Sequence, residues 1–490
     1  MSENNEITNN GDSRTKKIRR LILLIKISPI VIAILAVGLL FVWIIKGPNA
    51  EIKERLPGED KFTADGGTLT QSPITQGKLI KLNGIAVDMP GEWSRFRGND
   101  LDNINKENVP LARSWVSGQP QALWGIDVGE GYAGVAVRNG RVYLLDYDTN
   151  QQMDVVRCLS LKDGKDIWQY AYPVKIKRNH GMSRTVPTVT DKYVITIGPK
   201  CHVLCLDSTT GEFKWGIDLV RDYNTLIPEW YAGQCPLVDG DRVILAPGGD
   251  SLMIAVDIAT GEVIWKTPNP NIWNMTHSSV IPMVMNGKKM YVYCASGGVV
   301  GVSADDGRIL WETKEWKISI ANIPSPLIIG DGRIFLTGGY SAGSMMIKLT
   351  ESAGKYDVKI LYRLKADVFG CDQHTPILYE NYIYGVKSGG QLACIDLDGN
   401  LIWTSGSASR FGLGPYIIAN GLIYVLDDNG LLTLAEATPK GYKQLAQAQI
   451  LNGHDAWGPM ALVGGRLIAR DLTRLVCVNV SGQSLAMGNL

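Results

Sequence analysis

Apolar residues recur along most of this chain in short runs broken by Asn-Gly, Asp-Gly or Gly-Gly pairs, as around "RVILAP" (242–247), "RIFLTG" (333–338) and "LIYVLD" (422–427). Each run predicts a strand, and each two-residue break predicts a tight hairpin. A larger pattern sits on top of this one. "CLDSTTGEFKW" (205–215), "AVDIATGEVIW" (255–265), "GVSADDGRILW" (301–311) and "CIDLDGNLIW" (394–403) are versions of one strand-turn-strand phrase ending in Trp. Trp124, Trp168, Trp215, Trp265 and Trp311 follow one another at intervals of 44, 47, 50 and 46 residues, and Trp403 comes 92 residues later. One unit has therefore lost its marker. A period of roughly 40–50 residues with four strand signals per unit predicts propeller blades.

The units parse alike. An inner strand opens with proline, as in "CPLVDG" (235–240), "IPMVMNG" (281–287), "SPLIIGDG" (325–332), "TPILYEN" (375–381), "GPYIIANG" (414–421) and "GPMALVGG" (458–465). Proline has no amide to donate and belongs on an edge, which is where the channel-facing strand of a blade lies. Third strands number eight, with Cys158, Cys205, Ala255, Gly301, Lys348, Cys394, Thr433 and Cys477 read into one common slot. Nothing after Cys477 supplies a fourth strand. "ALWGIDVG" (122–129) precedes the first unit without partners of its own and is predicted to fill the gap, closing the ring and removing its free edge. The expected fold is all-β, an eight-bladed propeller of four-stranded antiparallel blades, with Trp124, Trp168, Trp215, Trp265, Trp311 and Trp403 as structural markers.

One segment breaks the β pattern. "LILLIKISPIVIAILAVGLLFVWIIK" (21–46) contains 19 uncharged residues from Ile27 to Ile45, about 28 Å of helix against a hydrocarbon core of roughly 30 Å. Arg14, Lys16, Lys17, Arg19 and Arg20 precede it, which predicts a cytoplasmic N-terminus and a single-pass anchor. The expected organisation is a basic cytoplasmic tail (1–20), a transmembrane signal-anchor helix (21–46), an extracytoplasmic linker (47–92) and a propeller (93–490) in the periplasm.

Composition changes little in this picture. The 490 residues are 45% hydrophobic and 20% charged, a folded profile, and the net charge of +1 with no basic cluster beyond "KKIRR" argues against nucleic acid. Four of the eight cysteines share the slot that other blades fill with Ala or Gly, so they read as small buried residues rather than disulfide partners.

Candidate chemistry gathers on one face. His180, His277, His374 and His454 fall in the segments leading into blades two, four, six and eight, and His202 in a turn expected on the same side. Trp230, Trp273, Trp316 and Trp457 join them, with Arg184, Asp372, Arg410 and Asp455. Long loops on a rigid scaffold are where binding concentrates. The histidines are expected at different blades and depths, so no metal site is predicted. "GYSAG" (339–343) and "GEGYAG" (129–134) match nucleophile-elbow and dinucleotide patterns, but both connect to strands where those motifs need a helix.

The Trp-terminated hairpins resemble those of the pyrroloquinoline-quinone-like β-propeller family over roughly residues 120–480, and "EWSRFRGNDLDNINKENVPLARSW" (92–115) resembles a segment that precedes such propellers. The family has a dehydrogenase branch holding the quinone with calcium and a non-catalytic, BamB-like scaffold branch. The adjacent cysteines typical of the dehydrogenases are absent, as is a haem attachment motif. The resemblance therefore implies a non-catalytic scaffold without cofactor that binds an envelope protein. The alternatives are a quinoprotein alcohol dehydrogenase using pyrroloquinoline quinone and calcium, with Asp372 or Asp455 as base, and a carbohydrate- or polymer-binding propeller. The membrane span departs from the lipidated cysteine of the assembly lipoprotein.

Overall fold

The computed structural model describes residues 7–46, 72–115, 117–178 and 180–482. The chain divides into two compact units at Arg55/Leu56. In the first, a single α-helix runs Ile7–Lys46, so it begins well before the expected residue 21 and takes in the basic stretch. Pro29 consequently lies inside the helix rather than in its first turn. A proline removes the amide that would bond the carbonyl four residues earlier. Here the Ser28 hydroxyl donates to that carbonyl, Ile25 O, at 3.3 Å. Arg19–Phe41 is the one stretch among the described residues long and apolar enough to cross a membrane.

The second unit is the predicted propeller, eight antiparallel sheets of four blade strands each. Blade one is built from residues 135–173, blade two from 188–218, blade three from 237–268, blade four from 281–313, blade five from 327–364, blade six from 377–404 and blade seven from 416–449. Blade eight takes Ala461–Val463, Arg466–Arg470 and Arg474–Asn479 from the C-terminal end and Gln121–Asp127 from before blade one. Trp124 pairs with Cys477 across that junction.

The repeated phrase has a mechanical role. In each blade the register between third and fourth strands slips beside the slot residue, and this bulge aims the Trp at the next blade. There its indole NH donates to a backbone carbonyl: Trp124 to Leu161 O at 2.9 Å, Trp215 to Ile258 O at 2.9 Å, Trp265 to Ala304 O at 3.3 Å, Trp403 to Thr438 O at 2.8 Å. The ring covers the turn glycine of that blade. A Cβ on Gly164, Gly211, Gly261 or Gly307 would stand 2.4–2.8 Å from the preceding Trp. Trp311 and Trp168 are the exceptions: the Trp311 NH turns to Met290 Sδ of its own blade at 3.3 Å, and the buried Trp168 NH has no hydrogen-bond partner, although its ring still covers Gly211.

The same bulge corrects the alignment of the two irregular blades. In blade five it follows Met346, which pairs with Tyr362, so the slot residue is Met346 and not Lys348. Tyr362 stands in for the lost Trp: its ring faces Gly399, and its hydroxyl donates to Leu397 O at 3.2 Å. In blade seven the bulge follows Leu434, opposite Ala446, displacing Thr433 by one position. The slot cysteines are buried thiols, as are the other four cysteines, and no disulfide forms among them.

Residues 47–71 of the expected linker lie outside the described residues. The rest is tied to the propeller. Lys78–Lys81 adds a fifth strand to the outer edge of blade one, Ile74 is buried in the core, and Ser72 Oγ donates to Asp218 at 3.2 Å. Further on, residues 93–105 cross the channel and satisfy the inner-strand edges. Trp93 bridges Val137 of blade one, and Ser94 O accepts from Val189 of blade two at 2.8 Å. Arg95 reaches Val238 O of blade three at 2.8 Å, and Arg97, 3% exposed, donates to Thr375 O and Pro376 O of blade six at 2.8 and 3.1 Å. Asn103 reaches Tyr416 O of blade seven and Asn105 reaches Leu462 O of blade eight. Edge strands leave carbonyls open, and this plug supplies the donors. The channel is stopped at one end.

The seam between blades eight and one yields a direct test. Gly164 has φ +72° with Trp124 at 2.8 Å, whereas Gly240 has φ +63° with nothing within 4 Å. Gly240→Ala should cost about 1 kcal/mol of backbone strain alone. Gly164→Ala should cost roughly 1–3 kcal/mol more, read by denaturant melts, because the Trp must also move. Equal costs would show that the ring does not bear on the turn.

Candidate functional site

The end of the channel opposite the plug opens into a cavity of about 280 Å³. Its lining comes from all eight blades. The segments entering them provide Tyr132, His180, Arg184, Trp230, Gly233, Cys235, His277, Ile323, Gln373, His374, Leu413, Trp457 and Pro459, a turn of blade five adds Tyr340, and the plug contributes Phe96. Of the residues expected on this face, His180, Arg184, Trp230, His277, His374 and Trp457 are brought together here.

The others are placed differently. Trp273 and Trp316 are buried, 5% and 3% exposed, inside the cores of blades three to five, where Trp273 covers Gly297. Asp372 lies beside the mouth, accepting from Ser388 Oγ at 2.5 Å. Arg410 faces a separate polar cleft with Thr433, Gln444 and Gln447. Asp455 accepts from the Tyr132 hydroxyl at 3.3 Å and stands 3.4 Å from His454, whose ring is exposed outside the cavity. His202 is buried between blades rather than presented on the face. Its Nε2 is 3.7 Å from Asp218, its ring meets Tyr172 edge-on, and burial lowers its pKa to about 4.

Inside the mouth, rings and one cation dominate. Tyr132 stacks on Trp457 at 5.2 Å and 24°, and the Trp457 indole donates to Asp428 at 2.7 Å, fixing its plane. The Arg184 guanidinium lies 4.9 Å above the opposite partner, the Tyr132 ring, and donates to Trp230 O and, at 3.1 Å, to Gly181 O. Burial lowers its pKa to about 10 while still leaving it charged at neutral pH. Trp230 faces His277 at 6.4 Å. Burial holds His277 and His374 near pKa 4, helped by Arg184 and Arg97 respectively, so both imidazoles are neutral at pH 7. The Nε2 atom of each is sealed from water without a hydrogen-bond partner.

Several residues in or beside the lining are held in conformations that side chains resist. Trp230 (φ +61°), Tyr231 (+71°), Tyr340 (+55°), Ser341 (+65°), His180 (+59°) and Asp455 (+56°) all occupy the left-handed region. For bulky residues each such position costs of order 1–3 kcal/mol, and strain of this kind clusters at functional sites. Two motifs set aside in the sequence return here in another role. "GEGYAG" delivers Tyr132 and "GYSAG" delivers Tyr340. Ser341 has a left-handed backbone, yet the strand Gly343–Ser352 follows it where an elbow needs a helix.

The donor set does not fit calcium. No carboxylate lines the cavity, and among the described residues no group of three or more His, Cys, Asp or Glu could hold a metal ion. Calcium takes six to eight oxygens, several of them acidic.

Comparison with known proteins places this geometry in context. The family model described as "Outer membrane protein assembly factor BamB" matches residues 152–398. The outer membrane protein assembly factor BamB of Moranella endobia is 23% identical over 383 residues, 75% of this chain and 79% of that protein. The quinoprotein alcohol dehydrogenase PedH of Pseudomonas putida is 21% identical over 172 residues, 32% of this chain and 27% of that enzyme. The crystal structure of BamB from Moraxella catarrhalis superposes with a TM-score of 0.52 at 12% identity, covering 74% of this chain and all of that one.

The neutral state of His277 has a measurable consequence. Between about pH 6.5 and 4 the unfolded chain binds a proton at this position that the folded chain refuses, so stability falls as pH falls through that window. Relative to His277→Gln, the wild type should lose up to about 3 kcal/mol from pH 7 to pH 4. A pH-independent difference between the two in urea melts would mean that the imidazole titrates freely in the fold.

Proposed function

The chain belongs to the pyrroloquinoline-quinone-like repeat family that includes the outer membrane protein assembly factor BamB, and from that premise we propose that it is a membrane-anchored scaffold that docks a protein partner on the mouth of its propeller. In this reading the helix around Arg19–Phe41 spans the membrane with the basic residues before it on the cytoplasmic side, and the propeller works in the periplasm. One observation carries the docking role: a rigid, one-ended cavity walled by Tyr132, Trp230, Tyr340 and Trp457, open to solvent opposite the plug. Aromatic residues in preset positions are what protein interfaces use as anchors, since they bury much area and lose little freedom on binding. The carboxylate-free lining favours this over the quinone-and-calcium chemistry of the dehydrogenase branch. The residues assigned to docking are His180, Arg184, Trp230, His277, His374 and Trp457, joined by Tyr132 and Tyr340.

The test is photo-crosslinking in intact membranes from position 340, whose side chain is 49% exposed. A specific envelope protein should be captured. Its yield should drop at least about tenfold in Trp457→Ala, the scale of losing one aromatic anchor. Crosslinks arising only from the outer blade edges, such as position 361, or no captured protein at all, would contradict the docking role.

A further inference from the structure

The cleft around Arg410 lies apart from the mouth, between blades six and seven, and it departs from a pattern that four other seams keep. In those seams the residue after the blade marker is met by a side chain from outside its own blade. Gly216, after Trp215, is met by Ile74 of the arm before blade one: a Cβ there would stand 2.7 Å from the Ile74 side chain. Lys266, after Trp265, holds its ammonium 5.0 Å from the Tyr223 ring. Glu312, after Trp311, accepts from Asn271 at 3.2 Å, and Arg363, after Tyr362, donates to Glu315 Oε2 at 2.7 Å. In blade seven the equivalent residue is Gln447, after Ala446 at the bulge. Its amide turns back to Thr433 Oγ1 of its own blade at 3.0 Å, and a cleft of about 350 Å³ opens beside it.

The short outer strand of blade six makes this space. It runs Leu401–Thr404, four residues, against six for Phe213–Asp218 and Val263–Pro268. Beyond it Ser405 Oγ donates to Ser409 O at 2.6 Å and accepts from Leu392 N at 3.1 Å, so the chain folds back over its own blade. Arg410 then bridges Gln391, and Phe411 is buried in the core of blades six and seven. The walls of the cleft are fixed on both sides. Its lining carries two amides, Gln444 and Gln447, with Thr433 and Ser409, one cation in Arg410 and one carboxylate in Asp427. Amides both donate and accept, and the two charges are of opposite sign. Such a lining matches an uncharged group with donors and acceptors of its own. A sugar shares that bonding character but stacks its apolar face on an exposed ring, and the one ring in the lining, Phe411, is 2% exposed.

The seam between blades one and two shows what fits such a place. There Leu204, Phe213 and Gly216 hold the register positions that Thr433, Gln444 and Gln447 hold in blade seven. The arm seats its Pro73–Gln76 turn against them, with Tyr170 donating to Ile74 O and Ser72 to Asp218, each at 3.2 Å. We propose that the cleft between blades six and seven is a second docking site, one that takes a short, uncharged polar turn of a partner protein as the blade one–two seam takes the arm. Backbone, hydroxyl or amide groups of that turn bond Gln444 and Gln447, and the paired signs of Arg410 and Asp427 disfavour a turn of either net charge. None of these residues lines the mouth, so the site stands or falls independently of the docking role proposed there.

Disulfide tethering on the full-length chain in detergent tests this. All eight native cysteines are buried, so Ala408→Cys, at an exposed position of the lining, supplies one reactive thiol. Leu361→Cys, on the exposed outer strand of blade five, is the reference. Each thiol is equilibrated with probes on one disulfide linker: the dipeptide amides Ser-Asn, Leu-Leu, Asp-Asp and Lys-Lys, and N-acetylglucosamine. At 408 the Ser-Asn probe should be captured about tenfold more than Leu-Leu, the scale of one or two hydrogen bonds, and ahead of both charged dipeptides and the sugar, with no preference at 361. Gln447→Leu should erase that preference without changing the melting temperature, since the side chain is exposed. Equal capture of all probes, the same ranking at 361, or a Ser-Asn preference that survives Gln447→Leu overturns the proposal. So does preferred capture of the sugar, which would make the cleft a saccharide site, or of either charged dipeptide. Failure here leaves the mouth untouched, because crosslinking from position 340 reads a different cavity.

Discussion

Eight wedges make a ring only if the last one finds its outer strand, and here residues 121–127 supply it. That single pairing, Trp124 opposite Cys477 and its indole on Leu161 O of blade one, ties the chain's two ends into one seam. The remaining geometry depends on it. Because the strand comes from the N-terminal side, the segment before it must reach the outside of blade eight from within the structure, and residues 93–105 do so by crossing the channel and bonding inner-strand edges of six blades. Closure thus turns a potential pore into a cavity with one opening.

In the docking role proposed above, that cavity is the receptor. The imidazoles of His277 and His374 are neutral at pH 7, and no carboxylate is among the lining residues. Two of its aromatic walls, Trp230 and Tyr340, sit in left-handed backbone conformations that the surrounding structure must hold in place. Strain of that kind is consistent with walls that are set before anything binds, which lowers the entropic cost of docking. A quinoprotein alcohol dehydrogenase is also among the relatives of this chain, and fold alone does not choose between the two functions.

Much of the architecture was legible because it is periodic. The Trp spacing, the proline-opened inner strands and the orphan strand at 122–129 each follow from repetition, and repetition survives without tertiary knowledge. Blades five and seven were misaligned by one or two residues because their markers are absent. Tyr362 replaces a Trp in a hairpin lengthened to ten-residue strands, which no fixed period can place. The candidate site was half legible. Loop position put the histidines on one face, but it could not say which rings turn inward, so Trp273, Trp316 and His202 were counted with the mouth although packing buries them. Tyr132 and Tyr340 were hidden inside glycine motifs that were weighed only for catalysis. Phe96 could not be anticipated at all, since the plug's path depends on hydrogen bonds to six different blades.

The most direct test of a one-ended docking scaffold is hydrogen exchange on the chain in its native membrane compared with the purified chain. A scaffold that docks at its mouth should gain protection in the membrane at the mouth segments around residues 180–184, 226–233, 272–277, 320–323 and 340–341, with no change in the plug at 93–105. Protection gained at the plug end or along the outer strands, with the mouth unchanged, would contradict it.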